Sequence, residues 1–380
     1  MSLIEPDTKD WTWVLDRSCP ECGLEAGAVA VSDLGDRLRS NAASWTVALQ
    51  GPDVAVRCAP EVWSVLEYAC HVRDVHRVMS GRARLILERD DPEFPNWDQD
   101  ATALEDDYGS QSPAVVATQL ADAARAAADL YDRVPASAWQ RPGRRSNGSV
   151  FTLAGLARYH LHDVVHHVHD IAGDVKRHTI AAYDAAAAAY RDGGLGMSDL
   201  RLQQLKAFAG RLPHGSRVLE IGSGPGRDAA WLEGAGLRVR RTDVSPGFVD
   251  LLRTDGHRAD VLDPLTDDLT DPEHPDRPYD GIWASASLLH VARHDLGRVL
   301  ERLAEATADG GSLHASFKVG DGEGWSTHGE VDRPRHFTFW RESALRALLD
   351  QAGWRVDAIV EHEGLRDERW LAVLATRSRR

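Results

Sequence analysis

A chain of 380 residues with 43% hydrophobic content holds apolar material for two cores, and domains of about 100–200 residues make two the expected number. A net charge of −15, with no Lys/Arg-rich stretch beyond a short terminal RSRR, argues against a nucleic-acid partner and for a neutral, cationic or small one. Negative mean hydropathy without a run of about 18 apolar residues argues against a membrane span, the opening MSLIEPDTKD lacks the form of a signal peptide, and four cysteines make no disulfide framework, so a reduced cytoplasmic protein is expected.

The first distinctive stretch is DWTWVLDRSCPECG, with Trp11, Trp13 and a C-x-x-C pair, Cys19 and Cys22. A zinc site needs two further ligands at a matching spacing, and Cys58 and Cys70 stand singly in other settings. The pair therefore reads as structural thiols, with a redox pair as the alternative. Apolar residues at helical spacing predict helices over 33–50, 60–88, 113–133 and 152–171, with Pro60 in the first turn of the second. The stretches DDPEFPNWDQD and QRPGRRSNGS read as loops. Four long helices without a strand pattern predict a four-helix bundle, in which Trp45, Trp63 and Trp97 pack or line a cleft.

Histidines crowd the last of these helices, in YHLHDVVHHVHD. His162 and His166 share a helical face with His169 close behind, while His160 and His167 lie elsewhere on the surface. His71, on the second long helix, is placed to complete a three-nitrogen site with open positions, and Asp74 or Asp163 could orient a ligand. The plain alternative is a solvated polar helix face. The pattern resembles the DinB-like metal-binding four-helix family, which includes mycothiol-dependent enzymes such as maleylpyruvate isomerase. That resemblance implies one ligand from the second helix and two from the fourth, here His71, His162 and His166. His167 and His169 leave the register on the last helix open by a turn. Zinc, nickel and iron(II) all suit imidazole.

The boundary is expected near 173–179, giving domains 1–175 and 176–380. Helices are predicted over 181–191 and 197–211. Strands are predicted over 217–221, 238–244, 257–262, 279–285, 312–319, 354–362 and 369–376, with helices between most of them. This alternation predicts a parallel sheet covered on both faces, and the last two strands, with no helix between them, a hairpin at its edge.

The strongest signal is RVLEIGSGPGRDAAWL, a strand running into Gly222-Ser223-Gly224-Pro225-Gly226 and then a helix. Glycines permit a sharp turn and close approach of a ligand, and the helix start adds free N–H groups. The third glycine comes one residue early for a dinucleotide fingerprint. Glu220 would repel a pyrophosphate but welcome a positive amino-acid end. Asp243 ends the second strand, 21 residues after Gly222, where an acid accepts hydrogen bonds from ribose hydroxyls. Asp260, at the end of the third strand, could accept an adenine amino group, and DGGSL leads into the fifth strand.

Together these features resemble the class I S-adenosylmethionine-dependent methyltransferases, over roughly half the chain. The resemblance implies a doubly wound, seven-stranded Rossmann-like sheet. It implies a cofactor held by Glu220, Gly222, Gly224, Asp243, Asp260 and Val261, with backbone near Ala284 at its amine and Tyr183 on a covering helix. His290, after the fourth strand, is the candidate general base, needed only if the nucleophile arrives protonated; a helix-capping or surface role is the alternative. The segment SFKVGDGEGWSTHGEVDRPRHFTFW is either a substrate lid or an ordinary surface loop. The expected activity is methyl transfer to a small molecule, with the helical domain binding substrate. The alternatives are a metal-dependent thiol transferase or isomerase with an accessory methyltransferase domain, and a non-catalytic regulatory protein that binds the cofactor.

Overall fold

A computed structural model describes residues 11–193, 196–329, 331–364 and 368–378. The opening MSLIEPDTKD and the end of the RSRR tail lie outside the described residues. The chain divides into two units between Val175 and Lys176.

In the first unit the long helices are α1 (Leu34–Ala48), α2 (Val65–Glu88), α4 (Pro113–Asp132) and α5 (Leu153–Gly193), with a short α3 (Gln99–Glu105) between α2 and α4. Helix α2 starts at Val65 and not near Pro60, because Ser64 and Glu67 form a capping box that satisfies two of the free N–H groups at this end. Helix α5 merges the two helices predicted over 152–171 and 181–191 and includes the unit boundary. Gly173 does not interrupt it; one exposed glycine costs a helix only about 1 kcal/mol. Leu38, Trp45, Val72, Val75, Leu120 and Leu156 bury together in the core, each apolar side chain contributing about 1.5–3 kcal/mol. The predicted bundle also carries a three-stranded sheet, β1 (Glu93–Phe94) and β2 (Pro142–Arg145), formed within the two stretches read as loops, and β3 (Val150–Thr152), just after the second of them. Strands of two to four residues are too short to display a period-two pattern.

The second unit continues through α6 (Asp199–Ala209), β4 (Arg217–Ile221), α7 (Arg227–Gly234), β5 (Arg238–Asp243), α8 (Pro246–Thr254), β6 (Ala259–Val261) and β7 (Tyr279–Ala284). It ends with α9 (Leu296–Glu305), β8 (Thr307–Val319), β9 (Glu323–Ser326), β10 (Arg335–Trp340), α10 (Glu342–Gln351), β11 (Trp354–Glu363) and β12 (Arg369–Arg377). The sheet order is β11-β12-β8-β7-β4-β5-β6, parallel except for the β11–β12 hairpin, which joins β8 antiparallel. Successive residues of the inner strands face opposite sides, as strand geometry requires. Leu219 and Ile282 join the core under α9 and α10, whereas Val218 and Trp283 join the one under α6 and α7. The sheet is therefore doubly wound, as expected. Two strands join the seven predicted: β10 pairs with β8 and β9, so much of the glycine-rich segment is strand.

Candidate functional sites

The carboxyl ends of β7, β4, β5 and β6 lie side by side, in registers that pair Glu220 with Trp283, Ile221 with Thr242 and Asp243 with Val261. Beyond β4 the chain turns through Gly222, Gly224 and Gly226, at φ of 77°, 51° and 80°. At Gly222 a Cβ would lie 2.4 Å from the Ser287 Cβ, so glycine is required both by conformation and by the adjacent loop after β7. At Gly224 a Cβ would meet nothing within 4 Å, which leaves open space over the turn.

Asp243 fixes this turn from β5: one carboxylate oxygen accepts from the Gly224 N–H at 2.9 Å, the other from the Ser245 N–H at 2.9 Å. Burial pushes the Asp243 carboxyl up to about 6, against these backbone donors. Glu220 lies fully within the fold and accepts a hydrogen bond from the Ser223 hydroxyl. Desolvation pushes it up to about 8, further than Ser223 and Arg241 pull it down. Two buried carboxyls beside an open glycine turn make a site poor for an anion and good for a cation. Val261 is 49% exposed at the end of β6, an apolar spot on the same edge, and Ala284 is buried at the end of β7. Ala286, two residues on, holds a φ of 54° and donates its N–H to Ser316 Oγ at 2.8 Å, local strain of the kind found at ligand sites.

Asp260 departs from the expected set. Its carboxylate accepts from Arg240 Nε at 2.9 Å and lines a separate cleft with Arg217 and Tyr279. Neighbouring strand residues point opposite ways, so Asp260 turns from the direction taken by Val261.

A cleft of about 480 Å³ opens beside the start of α7 and the end of β7. Tyr183, Asp228, His290, Lys318, Arg335 and Trp370 are among its walls. The Tyr183 hydroxyl lies 2.8 Å from His290 Nε2, and His290 Nδ1 lies 2.6 Å from the His336 carbonyl oxygen. A carbonyl can only accept, so Nδ1 carries the proton and Nε2 accepts from Tyr183. Desolvation drives the His290 imidazole down to about 3 despite that carbonyl, so the ring is neutral. Arg335 and Phe337 reach the cleft from β10, and Lys318 pairs with Glu368 at 2.8 Å.

In the first unit the structure corrects the expected His71, His162 and His166 grouping. His71 Nε2 lies 3.5 Å from Asp163 Oδ1, and the His71 and His167 rings meet edge to face at 4.7 Å. His71, Asp163 and His167 form one cluster, and His162 and His166 belong to another with Cys19 and Cys22. Residues one apart on a helix are turned by about 100°, so the 163/167 and 162/166 pairs project along different stripes of α5. The D-x-x-x-H spacing at 163–167 carried the same facial signal as H-x-x-x-H and was the one to pair with His71. Trp97 stacks on His71 at 5.3 Å and Trp63 lies at 5.3 Å, so both tryptophans wall this cluster. Asp170 Oδ2 lies 2.8 Å from His167 Nδ1 and leaves Nε2 toward Asp163. Both ring nitrogens of His71 are buried without a hydrogen-bond partner, as suits a ligand to an ion. His160 instead belongs to the core, between Tyr131 at 3.0 Å and His76 at 2.9 Å.

Comparison with known proteins gives a match of residues 196–359 to a family described as a methyltransferase domain, and of residues 34–171 to the DinB superfamily. Methyltransferase GfsG of Streptomyces halstedii is 32% identical over 103 residues, 26% of this chain and 36% of that protein. The chain thus matches only about a third of the length of this curated relative. Among solved structures, the 1,6-didemethyltoxoflavin-N1-methyltransferase of Burkholderia thailandensis is 19% identical with a TM-score of 0.44, covering 55% of this chain and 90% of its own. The N-methyltransferase NodS of Bradyrhizobium japonicum is 17% identical with a TM-score of 0.41, covering 53% and 100%.

Proposed function

For a chain that has a DinB-like domain in its N-terminal region and a methyltransferase domain in its C-terminal region, we propose S-adenosylmethionine-dependent methyl transfer to a small molecule. The observation that carries this reading is the pair of buried carboxyls, Glu220 and Asp243, flanking a glycine turn with open space at Gly224. A cationic nucleoside fits there: Glu220 and backbone near Ala284 suit an ammonium group, Asp243 suits sugar hydroxyls, and Val261 offers an apolar contact to a base. The Asp260 side chain, held by Arg240, has no part in this assignment. When bound, the cofactor's sulfonium supplies an electrophilic methyl group.

The protein's share is positioning and exclusion of water. Tyr183 closes over the cleft, and His290 holds its hydroxyl through Nε2. With that lone pair engaged and the ring weakly basic, His290 positions Tyr183 and is a poor general base. An acceptor that arrives deprotonated, an amine or a thiolate, needs no base. A cleft of about 480 Å³ walled by Trp370, Phe337, Lys318 and Asp228 suits a small acceptor with polar and planar parts. No helix among the described residues is long and apolar enough to cross a membrane.

Calorimetry on the ligand-free full chain tests the cofactor, and transfer of labelled methyl to a metabolite pool tests the reaction. Micromolar binding with label incorporation is expected; preference for a dinucleotide, or no heat with the sulfonium nucleoside, overturns the reading. A second reading rests on His71, Asp163 and His167, a two-nitrogen, one-oxygen set that would hold zinc, nickel or iron(II) with positions left for a thiol. It predicts a metal-dependent thiol transfer or isomerisation that survives Asp243→Ala and is lost in His71→Ala.

A further inference from the structure

We propose that Cys19, Cys22, His162 and His166 form a second, closed metal site, built for zinc, that fastens the N-terminal segment to α5. The local sequence builds one half. In Cys19-Pro20-Glu21-Cys22-Gly23, Gly23 adopts a φ of 73° and its N–H donates to the Cys19 carbonyl at 2.9 Å, while the Cys19 N–H donates to the Leu24 carbonyl at 3.0 Å. This tight turn presents both sulfurs to one side. The helix builds the other half, since residues four apart share a face.

The four ligand atoms all lie within 4.8 Å of one another, and Cys19 Sγ is 3.6 Å from His166 Nδ1. Tetrahedral zinc, with bonds of about 2.3 Å to sulfur and about 2.0–2.1 Å to nitrogen, places its ligand atoms about 3.3–3.8 Å apart, so a small contraction completes the site. Cys19 and His162 are 2% and 3% exposed, and His162 Nε2 is buried with no hydrogen-bond partner. That orphaned nitrogen is an independent sign of a missing ligand. His166 Nε2 lies 3.4 Å from Glu21 and 3.7 Å from Asp170, carboxylates that would orient the ring while Nδ1 faces the thiols. The Trp11 ring covers His166 edge-on at 5.0 Å.

Charge selects the ion. Two thiolates cancel a divalent cation, so the loaded site is neutral in a buried place. Loading forms two metal–sulfur and two metal–nitrogen bonds, with neutral imidazoles donating lone pairs, and releases two thiol protons to solvent. Two sulfurs and two nitrogens favour zinc, and four protein ligands leave no open position, so the site is structural. It uses none of His71, Asp163 and His167, whose three ligands leave positions open.

The test is metal content and spectroscopy of the full chain. Wild type should carry one more equivalent of zinc than Cys19→Ser/Cys22→Ser, and cobalt-substituted wild type should show a thiolate-to-cobalt charge-transfer band with tetrahedral d–d intensity. Zinc should protect Cys19 and Cys22 from alkylation while leaving the exposed Cys58 reactive. Equal zinc in the two proteins, a cobalt spectrum without the thiolate band, or a metal-free Cys19–Cys22 disulfide in freshly purified wild type overturns the proposal. Should the double variant fail to fold, the cobalt spectrum and the alkylation pattern of wild type decide by themselves.

Discussion

The glycine turn after β4 and the histidine face of α5 are made from different materials. Around Gly222 the ligand-facing surface is main chain: three glycines at positive φ, N–H groups fixed by the Asp243 carboxylate, and the strained Ala286. On α5 the backbone is ordinary helix, and function rests on which side chain occupies which stripe. The first site should therefore be sensitive to changes of backbone freedom. The second should tolerate those and fail when a single imidazole or carboxylate is lost.

The largest expected effect breaks the comparison at its first term. Gly222→Ala puts a methyl 2.4 Å from Ser287 Cβ and forces an alanine to a φ of 77°. The left-handed conformation alone costs about 1–2 kcal/mol, and the clash adds to it, so cofactor affinity should fall on the order of 100-fold. Gly173→Ala, on an exposed turn of α5 with nothing within 4 Å, should instead leave affinity unchanged and stabilise the chain by about 0.5–1 kcal/mol. Calorimetric titration and thermal melts of both variants separate the outcomes. Equal affinity in Gly222→Ala would remove the main-chain account.

Asp170→Asn sharpens the second term. Asp170 touches no proposed ion, yet it bonds His167 Nδ1 at 2.8 Å and sits 3.7 Å from His166 Nε2. Loss of such an orienting carboxylate typically costs about 10–100-fold in metal affinity. Competition with a chromogenic chelator should show a decrease of that size, with helicity by circular dichroism unchanged. Undiminished affinity would mean that packing of α5 alone sets the ligand rings.

Legibility in the sequence follows the same division. The glycine turn and the acid ending β5 were readable because both are local: a strand, a bend and a carboxylate at fixed distance along the chain. The doubly wound order followed from alternating periodicities. The partition of the α5 side chains was not readable, because a shift of one residue changes the facing stripe by about 100° and the choice rests on α2 and on residues near Cys19. The Cys19/Cys22 pair was visible, but its partners lie more than a hundred residues away and meet it only through folding. Strand β10 was hidden because its aromatic residues, in a glycine-rich context, read equally well as loop anchors. The Asp260 pairing was hidden because its partner, Arg240, sits on a neighbouring strand.

The smallest expected effect, taken per pH unit, is a dependence on pH. Glu220 in the ligand-free fold rises to about 8 from an ordinary value of 4.5. Between those values Glu220 holds its proton in the folded chain and has lost it in the unfolded one, so its own contribution to stability falls as pH rises through the window, while buried histidines such as His290, held down to about 3, contribute with the opposite sign. Asp243, raised from 3.8 to about 6, adds to the loss in the lower part of it. A cationic ligand needs the charged carboxylate and must expel the proton first, so its affinity should climb over the same range, by up to about tenfold per pH unit. Measured against Glu220→Gln, the two trends have opposite signs: without ligand the wild-type melting temperature falls relative to the variant's from pH 5 to pH 8, while the shift produced by the sulfonium nucleoside grows. Glu220→Gln carries no titrating proton at this position, so Asp243 and the buried histidines, which titrate in both proteins, drop out of the difference. Binding that weakens toward pH 8 in wild type would show that Glu220 does not face a cation, and a wild-type melting profile parallel to that of Glu220→Gln would show that its carboxyl is hydrated in the ligand-free chain.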